Sequence, residues 1–495
     1  MVNAGLLSET VENKINTSLK WCSVSLTDVI AREKRLEASV YDIEAKRARQ
    51  LIESGKFPLI TIGGRNGLAS SYTCARFKRV WVEESDIPIY QPSAIVDIKP
   101  EPDGYISHVT QTDIEALRVK KGQVLMTCSG TIGKVAFVSD TLDQKVFSHD
   151  LLRIDCKNTI DKGYLYAYLK SKTGSKILLS NRYGAVITHI EPEHLATVPI
   201  PDASKEIKER IHNLIMQSYK LRDESNDLME KATALLVTEL HLPVISDFRL
   251  SASRQSREMD TFTVKLSDLS DRIDASYHAP IVNAVLEHMA KYAVEITTVG
   301  DSRISREVVL PPRFARVYVE EGYGRVLIGG KQIHELDPSG KKYLSNTKHR
   351  ELMDKLEVHQ NTSLITRSGS VGKVALVPKH WERWIPSDHI IRVVPASDDI
   401  AGYLNVFLAS DYGRVFIKRY IYGSVVDEID DNHVRRIPIP VLKDRDIQRE
   451  INALALLANE KRYRAYLSEQ QALKIMEEEV ISVTESQIAI PGKIC

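Results

Sequence analysis

Two stretches of the chain repeat apolar or small residues in alternating steps of four and three. The first runs from about Ser204 to Leu240, with Ile207, Ile211, Leu214, Ser218, Leu221, Ser225, Leu228, Ala232 and Leu235 on one stripe. The second runs from about Asp444 to Val483; Ile447, Ile451, Leu454 and Ala458 open its stripe, Lys461 interrupts it, and Ala465, Ala472 and Ile475 resume it. That spacing is a heptad seam, so each stretch is expected to be one long helix. At 1.5 Å per residue each would span roughly 50–60 Å. A helix with a single apolar stripe must pack on something, and the obvious partner of each is the other, running antiparallel. Elsewhere the pattern is shorter. VLMTCSGTIGKVAFV reads as strand, turn, strand, and DLLRI as a further strand. Lys162 to Leu179 has the helical spacing of Leu165, Tyr168, Leu169 and Ile177. IEPEHLATVPIP reads as one helical turn and then an extended segment. Residues 63–128 and 300–367 are rich in glycine, proline and short apolar runs, which predicts twisted β-structure with long loops.

These patterns occur twice. Ser129 to Pro201 aligns without a gap on Ser368 to Pro440, with about 23 identities in 73 positions. SGTIGKVA matches SGSVGKVA, GYLYAYLKS matches GYLNVFLAS, and YGA at Tyr183 matches YGS at Tyr422. RLEASVYD at Arg35 has its counterpart in RIDASYHAP at Arg272, and RFKRVWVEE at Arg76 in RFARVYVEE at Arg313. A repeat this long is a duplicated domain. The chain therefore divides into a tail (1–20), a first globular domain (21–202), a central helix (203–242), a linker (243–262), a second globular domain (263–441), a C-terminal helix (442–483) and a tail (484–495). The expected fold is α/β in the α+β sense, with an internal pseudo-twofold repeat. Two similar globular units would be held at opposite ends of a pair of long antiparallel coiled-coil helices.

Composition adds boundaries to this picture. With 495 residues, 43% hydrophobic and 27% charged, the chain has the make-up of an ordinary soluble protein too long for one core. The formal net charge is +1, so any nucleic-acid surface must be local. MVNAGLLSETVENK has no basic start followed by an apolar run, and no apolar run reaches membrane length, so a cytoplasmic protein without a membrane partner is expected. The five cysteines form no CxxC and read as reduced thiols.

Several motifs look chemical and fail on inspection. SGxxGK is not a phosphate loop, because Cys128 and Val135 stand where glycine and Ser/Thr are needed. It reads as a hairpin turn, from which Ser129, Lys134, Ser368 and Lys373 are candidates for phosphate contact. Asp202 and Glu206 read as the acidic start of a helix, not as a nuclease metal site. His149, His194, His389 and His433 lack metal-ligand spacing. There is no GxGxxG and no methyltransferase Asp/Asn-Pro-Pro-aromatic motif.

Taken together, the R(L/I)(E/D)ASY openings, the paired SGxxGKVA and YG motifs, and VPIP or IPIP feeding a long helix resemble the specificity subunits of type I restriction-modification systems. The likeness covers residues 21 to 483. It implies two target recognition domains that each read one half of a split, asymmetric DNA site, and helices that set the gap. It implies docking of modification (methyltransferase) subunits, two of them, and of a restriction (translocase/nuclease) subunit. Methyl transfer and cleavage would belong to those partners, as would S-adenosylmethionine, ATP and Mg; this chain would be non-catalytic, with no cofactor or metal of its own. The basic residues of the diverged regions are the candidate readers of double-stranded DNA: Arg65, Asn66, Arg76, Lys78 and Arg79 in the first unit, and Arg303, Arg306, Arg313, Arg316, Lys341, Lys342 and Arg367 in the second. Arg182, before the YGA turn, would be specific to the first. Ile207, Ile211, Leu214, Leu221, Leu228, Ile447, Ile451 and Leu454 are the candidates for the partner-docking helices. Two other readings stay open at this point: a single-chain or type IIB-like restriction and methylation component, and a protein-binding scaffold.

Overall fold

The computed structural model describes residues 23–31, 34–184, 187–252, 261–269 and 272–482. The two tails and part of the 243–262 linker lie outside them. Each globular unit, or head, contains the same ten strands in the same arrangement. In the first these are β1 (Leu59–Thr61), β2 (Ala69–Tyr72), β3 (Trp81–Val82), β4 (Pro88–Tyr90), β5 (Gly104–Ile106), β6 (Val124–Thr127), β7 (Val135–Phe137), β8 (Val146–Phe147), β9 (Leu151–Cys156) and β10 (Pro199–Pro201). They form a scaffold sheet β2-β9-β6-β7, a smaller sheet β3-β5-β4-β8 and a β1-β10 pair. In the second they are β11 (Glu295–Thr298), β12 (Ser305–Val309), β13 (Tyr318–Val319), β14 (Gly324–Ile328), β15 (Lys342–Ser345), β16 (Ser363–Thr366), β17 (Val374–Leu376), β18 (Ile385–Pro386), β19 (Ile390–Pro395) and β20 (Pro438–Val441). Their sheets are β12-β19-β16-β17, β13-β15-β14-β18 and β11-β20, so every pairing of the first head recurs in the second.

The repeated residues are the ones that hold this scaffold. Thr127 Oγ donates to the Thr131 carbonyl at 2.5 Å and Thr366 Oγ to the Ser370 carbonyl at 2.5 Å, closing the SGxxGK turn in each head. Gly133 and Gly372 sit in the left-handed region, with φ of 86° and 89°, where a side chain would be strained. Beyond the sheet, the predicted Lys162–Leu179 helix is two helices, Thr159–Lys170 and Lys172–Leu179. Ser171 breaks them by capping the second through the Gly174 N–H. Ser410 does the same for Asp398–Ala409 and Asp411–Arg419. The buried Tyr164 hydroxyl donates to the Pro201 carbonyl at 2.6 Å, and Tyr403 to Pro440 at 2.7 Å.

From each VPIP or IPIP strand the chain enters a long helix: the first spine helix, Lys205–Glu239, and the second, Arg445–Ile475, which runs on as a π-helical segment Met476–Ile481. Ion pairs Arg210–Glu479, Arg222–Glu469, Lys461–Glu224 and Lys231–Glu450 show that the two run antiparallel. Buried lines at seven-residue steps meet between them: Ile211, Ser218, Ser225 and Ala232 against Ile451, Ala458, Ala465 and Ala472. Ala232 clusters with Ile451, and Ile211 with Ala472. These small residues let the backbones come close, so the seam buries less aliphatic surface than a leucine seam would. Heads dock on the spine through glycine. A Cβ on Gly163 would lie 2.6 Å from His212 Cα, and one on Gly402 would lie 2.4 Å from the Asn452 carbonyl oxygen.

Two expectations need correction. Ile211, Ile451 and Leu221 do not form a free docking face; all three are buried within this chain. Ile207 and Leu214 pack on the first head's core, and Ile447 and Leu454 on the second's. Within the linker, Ile245–Ala252 is helical and Phe248 enters the second head's core. The heads are not merely held apart. Each spine helix leaves its own head and ends inside the other's core: Ala232, Leu236 and Leu240 in the second, Met476, Val480 and Ile481 in the first. The heads also meet near mid-spine, where Asp97 and Glu335 form an antiparallel β-bridge. Among the described residues no helix is long and apolar enough to cross a membrane.

Candidate nucleic-acid interface

The segment joining β2 to β3 carries the first basic cluster. Arg76 and Lys78 are exposed. Arg79 lies over the Phe77 and Trp81 rings, 5.8 Å from each centroid, and Phe77 meets the His149 ring edge-on at 6.1 Å. Burial holds His149 below the ordinary histidine range; Asp150 opposes this, while Arg76 and Arg79 reinforce it. Its Nδ1 is buried without a hydrogen-bond partner in the protein. Beside it, Ser129 of the SGxxGK turn forms a β-bridge with His189, which also bridges to Tyr183. The Tyr183 hydroxyl donates to Glu191, which pushes its pKa up to about 12.

The second head builds the same place from different chemistry. Arg313 and Arg316, the repeat partners of Arg76 and Arg79, both face Asp388; Arg313 lies 3.8 Å from it and 3.9 Å from Glu428. Arg367 is buried against Glu428, and its Nε has no partner in the protein. Ser368 Oγ is 2.6 Å from His389 Nδ1. At the 239-residue offset, Asp388 replaces His149, Glu428 replaces His189 and Arg367 replaces Cys128. Around one turn the first head thus carries His149-Asp150 where the second carries Asp388-His389, and the second places Arg367 and Glu428 where the first has Cys128 and His189. Exposed aromatics flank both: Trp81 on β3, and Tyr318 on β13 with Lys342 over its ring at 5.4 Å.

The remaining sequence candidates are dispersed. Arg65 and Asn66 are exposed at the opposite end of β2 from Arg76, and the Arg65 carbonyl accepts from Lys157 at 2.9 Å. Arg303 is neutralised by Asp301 and Glu295. Arg306 is exposed on β12. Arg182 is half-buried, its carbonyl held by Arg35 at 2.6 Å. Lys341 pairs with Asp337 and lies over Trp384. Lys134 does not project from its turn toward solvent: it pairs with the buried Glu335 of the other head at 2.7 Å. Lys373 is half-buried. Sequence reasoning missed His189, Asp388 and Glu428, which flank the turn only after folding; their signal was the substitution of acid for histidine at two aligned positions. It also missed the half-buried Asp97 and the buried carboxylates Glu335 and Glu469. Asp202 accepts from Lys208 at 2.7 Å, as expected of a helix-start residue, and no metal-holding cluster occurs among the described residues.

Residues 20–230 match the family model described as type I restriction modification DNA specificity domain. A search of curated protein sequences finds no match. Among solved structures, the type I restriction-modification system S subunit from M. genitalium aligns at 13% identity over 86% of this chain and 95% of its own, with a TM-score of 0.31. The HsdS subunit from Thermoanaerobacter tengcongensis aligns at 13% identity over 85% and 99%, with a TM-score of 0.25. A structure on complex assembly and conformational transition of the type I R-M system aligns at 13% identity over 86% and 98%, with a TM-score of 0.26. Residues 20–230 are accordingly similar to the type I restriction modification DNA specificity domain.

Proposed function

We propose that this chain is the DNA sequence-specificity subunit of a type I restriction-modification complex, reading a split, asymmetric target with one head per half-site. One observation carries the reading: the two heads share a scaffold, strand for strand, yet differ in charge at equivalent positions around one turn. Shared scaffolding suits one task done twice, and divergence at His149/Asp388 and His189/Glu428 suits two different texts. Arginine donates to guanine, carboxylates accept from the cytosine and adenine amino groups, and neutral histidine can do either. Arg76, Lys78, Arg79 and Lys342 would meet phosphates or base edges, and the antiparallel spine would keep the half-sites at constant separation. Modification subunits, two per chain, would dock on the outward spine surface, where Leu457 and Leu467 remain exposed. A restriction subunit would join them in the cytoplasm. Methyl transfer and cleavage, with their S-adenosylmethionine, ATP and Mg, would belong to those partners.

The test is methylome sequencing of cells expressing the chain with its modification subunit. Methylation at two unlike half-sites across a constant gap is the expected result. A contiguous motif, or methyl transfer by the isolated chain, refutes the reading. A protein-binding scaffold would instead show no DNA retention even with partners present, at any salt concentration.

A further inference from the structure

The lysine of the first SGxxGK turn is the least expected feature of the molecule. Lys134 points neither at solvent nor at a ligand, but across the gap between the heads. The loop after β4 and the loop after β14 meet there as pseudo-equivalents: Asp97-Ile98-Lys99-Pro100 opposite Glu335-Leu336-Asp337-Pro338. Asp97 bridges Glu335, and the Ile98 N–H donates to the His334 carbonyl at 2.8 Å. Lys134 of the first head holds Glu335 of the second at 2.7 Å, with side chains 15% and 5% exposed. Lys373 of the second head is the positive charge acting most strongly on Asp97. Arg414 of the second head pairs with Glu101 of the first. Beneath the bridge, Ile98 and Leu336 pack on Leu221 and Ala465 of the spine. Asn226 donates to the Ile98 carbonyl at 2.8 Å, and Gln470 to Asp337 at 3.0 Å.

We propose that this is a latch: Lys134 is a positioning residue that, with Glu335 and its bridge to Asp97, locks the two reading heads to each other at mid-spine, and the latch, with the spine, fixes the gap between half-sites. The gap part rests on the function proposed above; the lock does not. The loops involved leave the small sheets that carry the diverged chemistry. Tying them together adds a direct head-to-head constraint to the hold that the spine already has on each loop. The contact is short and mostly polar, so its geometry depends on a few charged pairs rather than on a large buried area.

Inter-head distance tests the lock. Genetically encoded spin labels at exposed Glu84 and Lys348, one on each head, report it by pulsed dipolar spectroscopy in the full chain. The wild type should give one narrow distance. Lys134→Glu and Glu335→Lys should each give a longer, broader distribution, and the double swap should restore the narrow one. Unchanged distributions in the single variants overturn the proposal. So does a double variant that stays as open as either single, because the singles then act by misfolding. In cells with the modification subunit, the single variants should methylate the same two half-sites across more than one gap length. Open heads with a single gap would overturn the spacing role. A wild type that methylates no split site would remove that role together with the proposed function, while the lock would still stand or fall on the distances.

Discussion

Glu469 is the most consequential buried charge in the molecule. Its side chain, on the second spine helix, is 1% exposed and pairs with Lys170 of the first head and Arg222 of the first spine helix; Tyr166 donates to it at 3.0 Å. Replacing it by alanine leaves two buried cations without a counter-charge. Removing one partner of such a group costs about 3–5 kcal/mol, a factor of roughly a hundred to several thousand in the folded population. The molecule supplies its own control. At the 240-residue offset of the spine helices Glu469 corresponds to Met229, and the next residue, Glu230, pairs with Lys99 at the surface, with side chains 62% and 56% exposed. Glu230→Ala should therefore cost about 0–1 kcal/mol.

Urea unfolding followed by circular dichroism measures both, and hydrogen exchange shows which head opens. Glu469→Ala should lower the midpoint and deprotect the first head; Glu230→Ala should do neither. Equal effects, or a Glu469→Ala shift below about 1 kcal/mol, would refute the reasoning that burial decides. A triple replacement of Lys170, Arg222 and Glu469 by methionine, methionine and leucine should recover most of the loss, because it removes the charges together with the need to neutralise them. Acid supplies the same test without mutation. Burial alone would raise the Glu469 pKa, but Lys170 and Arg222 hold it below its ordinary 4.5. A carboxylate lowered in the folded state contributes stability above its unfolded pKa. That contribution should fade as pH falls below about 4.5 in the wild type and be absent in Glu469→Gln.

The other predictions concern the latch, the reading surface and the head–spine contact. Burial raises the Asp97 carboxyl to about 7, with Lys373 and Lys134 opposing and Glu335 and Glu101 reinforcing. A raised carboxyl favours the protonated fold, so the inter-head distance should broaden as pH rises through about 7, and Asp97→Asn should flatten that dependence. In the assembled complex, Arg76→Ala should weaken DNA binding and, if the side chain meets a phosphate, lower the slope of log K against log salt by about 0.9; Arg65→Ala should leave both unchanged. Gly163→Ala drives a methyl into His212 and Gly402→Ala one into Asn452; each should lower stability by about 1–3 kcal/mol in a urea titration, more if the head cannot shift.

Much of the scaffold was legible in the chain, because periodicity reports burial. The stripe at Ile211, Ser218, Ser225 and Ala232 lies where its seven-residue steps put it, and the SGxxGK glycines mark left-handed turns. Periodicity does not say what does the burying. Ile211 and Ile451 read equally well as docking positions and as an internal seam, and only the fold, with its small residues in register, decides for the seam. Charged side chains were harder still. A lysine beside a glycine turn looks free in sequence, and the carboxylate that claims Lys134 lies 201 residues away. Arg303 looked like a reader and is answered by Asp301, two residues off, a pairing the sequence did offer.

The departures from symmetry bear most directly on how such a protein diversifies. Tyr166 and Lys170 fill the first head's side of the mid-spine gap and reach Glu469. Their counterparts are Asn405 and Ala409, and there the gap stays open as a cleft of about 660 Å³ lined also by Glu101, Glu230, His334, Arg414 and Arg462. The two halves agree in their strands and disagree at the seam where they touch. A head transplanted between such chains would carry its reading residues with it but meet the wrong counterpart at mid-spine. By the proposed latch, Asp97, Glu335 and the Lys134 that answers Glu335 should therefore change together. A head exchange that keeps Lys134 but loses Glu335 should then behave like the Glu335→Lys variant rather than like an intact subunit with a new target.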